Sequence, residues 1–474
     1  MKQFLTDLLG AEGVLDEPAR LAAYSEDQTE IEGGAPALVA FPTTTKQIQS
    51  IVHVAGQERT PITARVFGTN LGGLTVPSEG GLVLDLTRMN RVIDIDREDM
   101  VAVIEPGVSQ RILKDRLTSE GIPLTLGYSL APPDTSVFAN ALMGGLTNRS
   151  LKYGNQAEAI SALEVVLSDG SLAQLGSWAV DGVPPFGRVP LPDLIGLFVG
   201  WQGTTGIATR MAFQLWPLHP LNRRLFFLTY TPRATFEAMR RLVRTEAVDD
   251  IGGLSWPSGK MMLGVPNPHP VLGDGEPTFF LYLDLTAEIP EEMAVKEKLV
   301  QRVIDGLRAE GERYEGPIDV STLVKVNPAM GKFADFPTHL DFLTDHPGGG
   351  LTWIGTYGPL SRFTDAAVAC GEIMMRAGLP PTIVSRPMRG GHYGVLRFVT
   401  VFDKKDPNDV ARTRAVNREL LLELTNRGFL MYKTPVWAWN ELKPRMDPGM
   451  LKLMGQVKHL MDPYRHFNPG KLGL

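Results

Sequence analysis

Cysteine is nearly absent from this chain: Cys370 is the single one among 474 residues. A lone thiol makes no intrachain disulfide and no cysteine-only zinc or iron–sulfur site. Within the run AAVACGEIMM it reads as a small buried hydrophobe. No stretch approaches the roughly 18 uninterrupted apolar residues of a spanning helix, so no membrane span is expected. The opening MKQFLTDLLGAEGVLDEP mixes acids into its apolar positions and reads as a mature amphipathic helix, not a signal peptide. Together these features predict a soluble cytoplasmic protein. Long basic runs are missing too, and the formal net charge is -6. A nucleic-acid partner, which needs clustered Lys and Arg, is therefore not expected. Neither G-x-x-x-x-G-K-[ST] nor a strand-following G-x-G-x-x-G occurs, which excludes the P-loop and the Rossmann fingerprint. GWQGTTG at Gly200–Gly206 has the wrong spacing for the latter. What is present, 43% apolar and 21% charged residues, is an ordinary globular balance. The length calls for two packed domains.

Along the chain, the apolar run Ala37–Phe41 predicts a strand. Thr43–Thr45 can cap a helix over Lys46–Glu58, and Pro61–Arg65 starts a second strand, giving a βαβ-like opening. Gly81–Leu86 predicts a further strand, and VIDIDREDMVAVIEPG a hairpin turning near Asp96–Asp99. A helix over Ser109–Glu120 stops at Gly121. Residues 122–150 read as loop, and EVVLSDGSLAQLG turns at Asp169–Gly170. Residues 193–219 supply a short helix, a glycine turn and a strand. From about 221 the texture changes: RRLFFLTYTP, TFFLYLDLT, LTWIGTYGP and YGVLRFVTVFD alternate with amphipathic helices around 235–245, 291–310, 363–377 and 408–427. That pattern predicts one wide mixed or antiparallel sheet covered by helices. A helix over Met450–Met461 precedes the tail DPYRHFNPGKLGL.

The loop TARVFGTNLGGLTVP (Thr63–Pro77) follows a strand, carries Gly68, Gly72 and Gly73, and contains no acid. Successive main-chain N–H groups in such a loop can cup a pyrophosphate where larger side chains would obstruct it. The order of this loop, VIEPGV (Val103–Val108), PPDTSVFANALMGG (Pro132–Gly145), KYGNQAEAISALEVVLSDGSLAQLG, DLIGLFVGWQGTTGIATRMAFQLWPL and the ending DPYRHFNPGKLG resembles one flavoprotein superfamily. It is that of vanillyl-alcohol oxidase and p-cresol methylhydroxylase (PCMH). The resemblance implies an α+β fold: a PCMH-type FAD-binding domain of two α+β subdomains, with a cap built on a large, mainly antiparallel sheet. The implied division is 1–220 plus 429–474 for FAD (core about 36–219) and 221–428 for the cap. Matched position by position, it implies FAD contacts at Arg65, Gly68, Thr69, Asn70, Leu71, Gly72, Thr135, Ser136, Asn140, Gly145, Gly206, Ile207 and Asn468. The histidines that hold FAD covalently in some relatives are replaced here by Thr69 and by the run Gly350–Ile354, so non-covalent FAD is expected.

Hydroxy-acid dehydrogenases of the superfamily carry several metal-ligating histidines. RGGHYGVLRFVTVFD offers only His392, and one histidine builds no divalent-metal site, so no metal is expected. From Met388 onward the chain is closer to the phenol-oxidising branch, in which a Tyr-Arg-Thr run holds the substrate phenolate. Tyr432-Lys433-Thr434 stands there. A cation and a phenol O–H stabilise a phenolate, and electron release from that oxygen permits hydride loss from the para benzylic carbon to flavin N5. The expected protein is thus an FAD-dependent oxidoreductase acting on a small phenolic or aromatic alcohol or alkyl substrate. Tyr432 and Lys433 would anchor the substrate, with Arg389 and His392 as further wall residues. Three features depart from the branch: no tyrosine in the first loop, Ala131 where an aspartate is expected beside the flavin, with Asp134 near it, and Lys433 for arginine. Two other readings stay open. One is a metal-independent 2-hydroxy-acid dehydrogenase in which Lys433 and Arg389 clamp the carboxylate and His392 takes the hydroxyl proton. The other is an FAD subunit that only relays electrons within a complex. A redox partner protein, a cytochrome or another acceptor, and a homodimer are the partners the resemblance implies.

Overall fold

The computed structural model describes residues 1–334 and 341–474. The βαβ-like opening forms as expected. Leu38–Ala40, Leu82–Asp85 and Ile62–Arg65 lie parallel in a four-stranded sheet whose edge is Val14–Leu15. The crossover helix is Thr45–Glu58; Thr44 and Gln47 form a capping box that satisfies its first N–H groups. Its Ile48, Ile51, Val52 and Ala55 recur at helical spacing and are fully buried with Leu82 and Leu84. Because that helix fixes Ile62–Arg65, the glycine loop leaves the sheet at one defined place.

A second, antiparallel sheet orders Val92–Asp96, Val101–Ile104, Ile207–Gln214, Ile160–Val166 and Leu172–Gly176. The third has eight strands, every pairing antiparallel. In order they are Tyr314–Asp319, Leu221–Thr229, Phe279–Ala287, Asp250–Ser255, Thr382–Met388, Tyr393–Asp403, Gly349–Gly358 and Leu430–Met431. The helices Pro232–Val243, Pro290–Ala309, Phe363–Arg376 and Pro407–Asn426 cover one face. They enclose a core with Phe227, Leu281, Ile354 and Phe398, and Cys370 is buried in it. The alternate residues Phe226, Phe280, Leu351 and Val399 face the other way and pack with Leu71 of the glycine loop. The strand period of two therefore sends one set of side chains to the helices and the next set to the loop.

Two expectations need correction. The segment 122–150, read as loop, contains the helix Val137–Leu142, capped where Ser136 Oγ accepts from Ala139 N at 3.0 Å. Glycine and proline around it mask a short helix that its cap specifies. The cap sheet also contains Asp250–Ser255, Tyr314–Asp319 and Thr382–Met388, which the pattern did not single out. Gly252, Gly253, Pro317 and Pro387 lower their local strand signal, and pairing with the neighbouring strands, on one side only for Tyr314–Asp319, supplies what propensity does not.

The tail closes on the first sheet. Phe467 bridges Ile62, and Asn468 N donates to Ile62 O at 2.7 Å. Burial pushes the Asp462 carboxyl up, but His466 at 3.1 Å, Lys458 Nζ at 2.6 Å and Phe467 N at 2.9 Å hold it down at about 2. No helix among the described residues is long and apolar enough to cross a membrane.

Candidate flavin and substrate site

The loop after Ile62–Arg65 folds back through left-handed backbone at Phe67 (φ 29°), Gly68 (φ 68°), Gly72 (φ 127°) and Gly73 (φ 67°), conformations suited to glycine. At Gly68 space is limiting as well, since a Cβ there would lie 2.2 Å from the Arg65 guanidinium. Arg65 itself rests 4.7 Å over the Tyr24 ring, whose hydroxyl donates to Asp85 at 2.8 Å. Three further contacts pin the loop: Asp27 accepts from Gly73 N at 2.7 Å, and Lys471 Nζ donates to Gly73 O at 2.7 Å and Val76 O at 3.0 Å. Burial pushes Lys471 down to about 8. Asn468 ties the tail to the same region, donating to Gln202 O at 2.6 Å and Leu74 O at 3.3 Å.

This loop walls a cleft whose empty space, open mouth included, is about 1430 Å³. Its other walls come from 129–143, from 198–208 and from the cap sheet. Among its lining residues, Arg65 Nη1, Asn70 Oδ1, Thr75 Oγ1, Thr135 Oγ1, Gln202 Oε1 and Arg397 Nε are buried without a partner. Leaving such atoms unpaired costs about 1–3 kcal/mol each. Donors and acceptors of this kind, beside a loop of exposed main chain, fit the phosphates, ribityl hydroxyls and ring edges of FAD.

Of the positions matched to FAD contacts, Arg65, Gly68, Thr69, Asn70, Leu71, Thr135, Ser136, Asn140, Gly206, Ile207 and Asn468 line the cleft; Gly72 and Gly145 do not. Both glycines instead make room: a Cβ on Gly145 would fall 1.9 Å from Asn140 Oδ1, and one on Gly72 3.3 Å from Lys433 O.

On the cap side, Tyr432 and Lys433 line the cleft with Trp353 and Arg397. Gly355 sits opposite Arg397 in the sheet, and its missing side chain admits the Tyr432 ring, since a Cβ there would be 2.8 Å from Tyr432 Cε1. Tyr432 stacks on Tyr357 with centroids 4.5 Å apart, and its hydroxyl accepts from Arg397 Nη2. The Arg397 guanidinium lies 4.3 Å over Trp353. Tyr357 donates to Gly144 O at 2.8 Å, and burial pushes its phenol well up, so it stays neutral. Lys433, at φ 53°, donates to Asn140 Oδ1 at 3.3 Å. Desolvation, and then the charge on Arg397, push its ammonium down to about 7. Among the described residues, those lining the cleft include Arg65, Arg397 and Lys433 and no Asp or Glu.

Arg389 and His392 are not brought to this site. Both are exposed, and Arg389 reaches Glu158 at 3.4 Å. The short turn Arg389–Gly391 lifts them out of the sheet before the strand Tyr393–Asp403 begins. Asp134 does not replace the aspartate missing at Ala131: it is exposed and pairs with Arg111 at 2.8 Å, while Ala131 lines the cleft. Arg397, Trp353 and Tyr357 were not singled out from the sequence. The available signal was an arginine in the apolar strand YGVLRFVTVFD, a position where burial demands a partner. Among the described residues no group of three or more His, Cys, Asp or Glu is placed to hold a metal; His339 lies outside them.

The comparisons agree with this construction. The family model of an FAD binding domain matches residues 36–176. The flavoprotein subunit of 4-cresol dehydrogenase (hydroxylating) from Pseudomonas putida is 24% identical, over 98% of this chain and 94% of its own length. The glycolate oxidase subunit GlcD of Bacillus subtilis (strain 168) is 34% identical over 48% of this chain, and the chain spans only 47% of that relative. The crystal structure of p-cresol methylhydroxylase with substrate bound superposes with a TM-score of 0.88 at 23% identity, covering 100% of this chain and 96% of that one. Residues 36–176 thus match an FAD binding domain, and the whole chain has the fold of p-cresol methylhydroxylase. Its class is that of an FAD-dependent oxidoreductase.

Proposed function

We propose that this oxidoreductase removes a hydride from a small phenolic substrate, an alkylphenol or a hydroxybenzyl alcohol, whose oxygen is held by Tyr432, Lys433 and Arg397. The observation that carries the reading is the convergence of a phenol O–H, an arginine and a lysine on a cleft wall that has no acid among the described residues. FAD, when bound, accepts the hydride. The protein's part is to fix and polarise the substrate. Arg397 donates to the Tyr432 oxygen, which leaves the Tyr432 proton to be given to the substrate oxygen. A substrate seated against the face of Trp353 would displace water, which strengthens each of these contacts. The full-length relative named for 4-cresol supports this substrate class. Its designation as a flavoprotein subunit supports a separate redox protein as electron acceptor. The loop Thr63–Pro77, the segments 129–143 and 198–208 and the tail would hold FAD without a covalent bond, because neither Thr69 nor Gly350–Ile354 supplies a histidine. On this reading 1–220 plus 429–474 form the FAD-binding domain, whose Tyr432 and Lys433 reach the substrate, and 221–428 form the cap.

Arg397 also favours a second reading, since its planar fork beside Lys433 suits a carboxylate. A metal-independent 2-hydroxy-acid dehydrogenase would then use Arg397 where Arg389 was expected, and the partial match to a glycolate oxidase subunit accords with it. Anaerobic mixing of the FAD-loaded protein with 4-alkylphenols, D-lactate and glycolate separates the two. Bleaching of the flavin by the phenols is expected; bleaching by the hydroxy acids alone would replace the first reading with the second.

A further inference from the structure

Resting on the phenol reading above, we propose that Lys433 is the base of this site: the substrate enters as a neutral phenol and passes its hydroxyl proton to Lys433 Nζ, so that the phenolate–ammonium pair forms inside the cleft. In this step the phenol O–H bond breaks, its electron pair stays on oxygen, and an N–H bond forms on Lys433. Nothing is oxidised or reduced.

The groups around Lys433 make this the consistent assignment. From the cap strand Tyr393–Asp403 it faces Arg397, a second cation. From its own segment it adjoins Tyr432, whose oxygen already accepts from Arg397, with Tyr357 stacked behind. The helix Val137–Leu142 presents Asn140, whose amide nitrogen is committed to Gln156 and whose Oδ1 is the polar partner of Nζ. The glycine loop contributes main chain at Gly72 and, further along the wall, Arg65. Among the described residues no carboxylate lines the cleft to hold a proton on Lys433. A desolvated amine that faces a guanidinium and no anion gives up its proton readily, and burial lowers this ammonium to about 7. An incoming phenol reverses that preference, since the proton it transfers leaves an ammonium beside a phenolate instead of one facing Arg397 alone. Arginine, which stays charged at every working pH, could steady a phenolate but could not receive its proton. The exchange of arginine for lysine is therefore a change of role as well as of shape.

The test uses the FAD-loaded protein and 4-chlorophenol, which has no benzylic hydrogen to lose. Binding is followed at about pH 8, well below the ordinary phenol value of about 10. The phenolate ultraviolet band and the proton balance, from calorimetry in buffers of different ionisation heat, are recorded together. The wild type should show the phenolate band with no net proton released. Lys433→Arg should show the band with about one proton released per phenol bound. A wild type that releases a proton, or binds the phenol without forming phenolate, overturns the assignment of the base while leaving the phenol reading intact. Failure of every phenol to bind overturns both, and is recognised because no phenol then bleaches the flavin.

Discussion

The glycine loop and the cap sheet meet the same cleft with different parts of the polypeptide. The loop offers main chain shaped by Gly68, Gly72 and Gly73 and pinned from behind by Asp27, Lys471 and the tail. The cap offers side chains, Trp353, Arg397, Tyr432 and Lys433, drawn from two strands and the segment after Leu430–Met431. A diphosphate presents much the same oxygens in every FAD protein, so the loop that meets it need not vary. A substrate differs from enzyme to enzyme, and only side chains can follow it. The difference teaches that cofactor identity and substrate identity are encoded at separate addresses in this molecule.

The sharpest way to break the comparison is to alter each wall and ask which property fails. Lys433→Ala should slow flavin reduction by the true substrate about 1000-fold, the scale of losing a positioned group that stabilises developing charge. Bound FAD should remain, as anaerobic stopped-flow and the flavin content of the purified protein will show. Gly68→Val should do the reverse. It forces a side chain into left-handed backbone and onto Arg65, a strain of about 1–3 kcal/mol. FAD affinity should fall about 10- to 100-fold, read as a paler protein and a weaker binding isotherm. A colourless Lys433→Ala or a fully flavinated Gly68→Val would dissolve the division of labour.

Finer changes sharpen it. Arg397→Met removes the charged donor to Tyr432, worth about 1.5–3 kcal/mol; kcat/KM should fall about 10- to 100-fold with little change in FAD content. In wild type, kcat/KM for a phenol should rise with pH through about 7 as Lys433 loses its proton, because the free base is the form that can accept one. The limb should vanish in Lys433→Arg. The smallest effect is expected at Arg389→Ala and His392→Ala: both are exposed, and surface changes stay within about twofold. A larger loss of kcat/KM at either would extend the site beyond the cleft described here.

Much of the cofactor wall was legible because it is local. A strand, a glycine-rich turn and a capped helix are each set by neighbours within a few residues, and eleven of the thirteen matched positions line the cleft (thirteen less Gly72 and Gly145). The substrate wall was legible at Tyr432-Lys433 only through resemblance, and misleading at Arg389 and His392. Those two stand a few residues from Arg397 in the chain, yet the turn Arg389–Gly391 places them on the surface while strand alternation turns Arg397 inward. Lys471 shows the same limit: it is one lysine of the NPGK ending until the tail folds under the glycine loop and its ammonium finds the carbonyls of Gly73 and Val76.

By itself the sequence determined the βαβ-like opening, the main helices and strands and the chemistry of the glycine loop, because periodicity, caps and φ-permissive residues act over short distances. The tertiary structure decided which side chains share the substrate end of the cleft, how Gly355 makes room for Tyr432, and that Lys433 faces a cation and, among the described residues, no acid. Those facts depend on strands far apart in the chain being laid side by side. Burial and electrostatic environment are properties of that arrangement, and no local stretch of residues carries them.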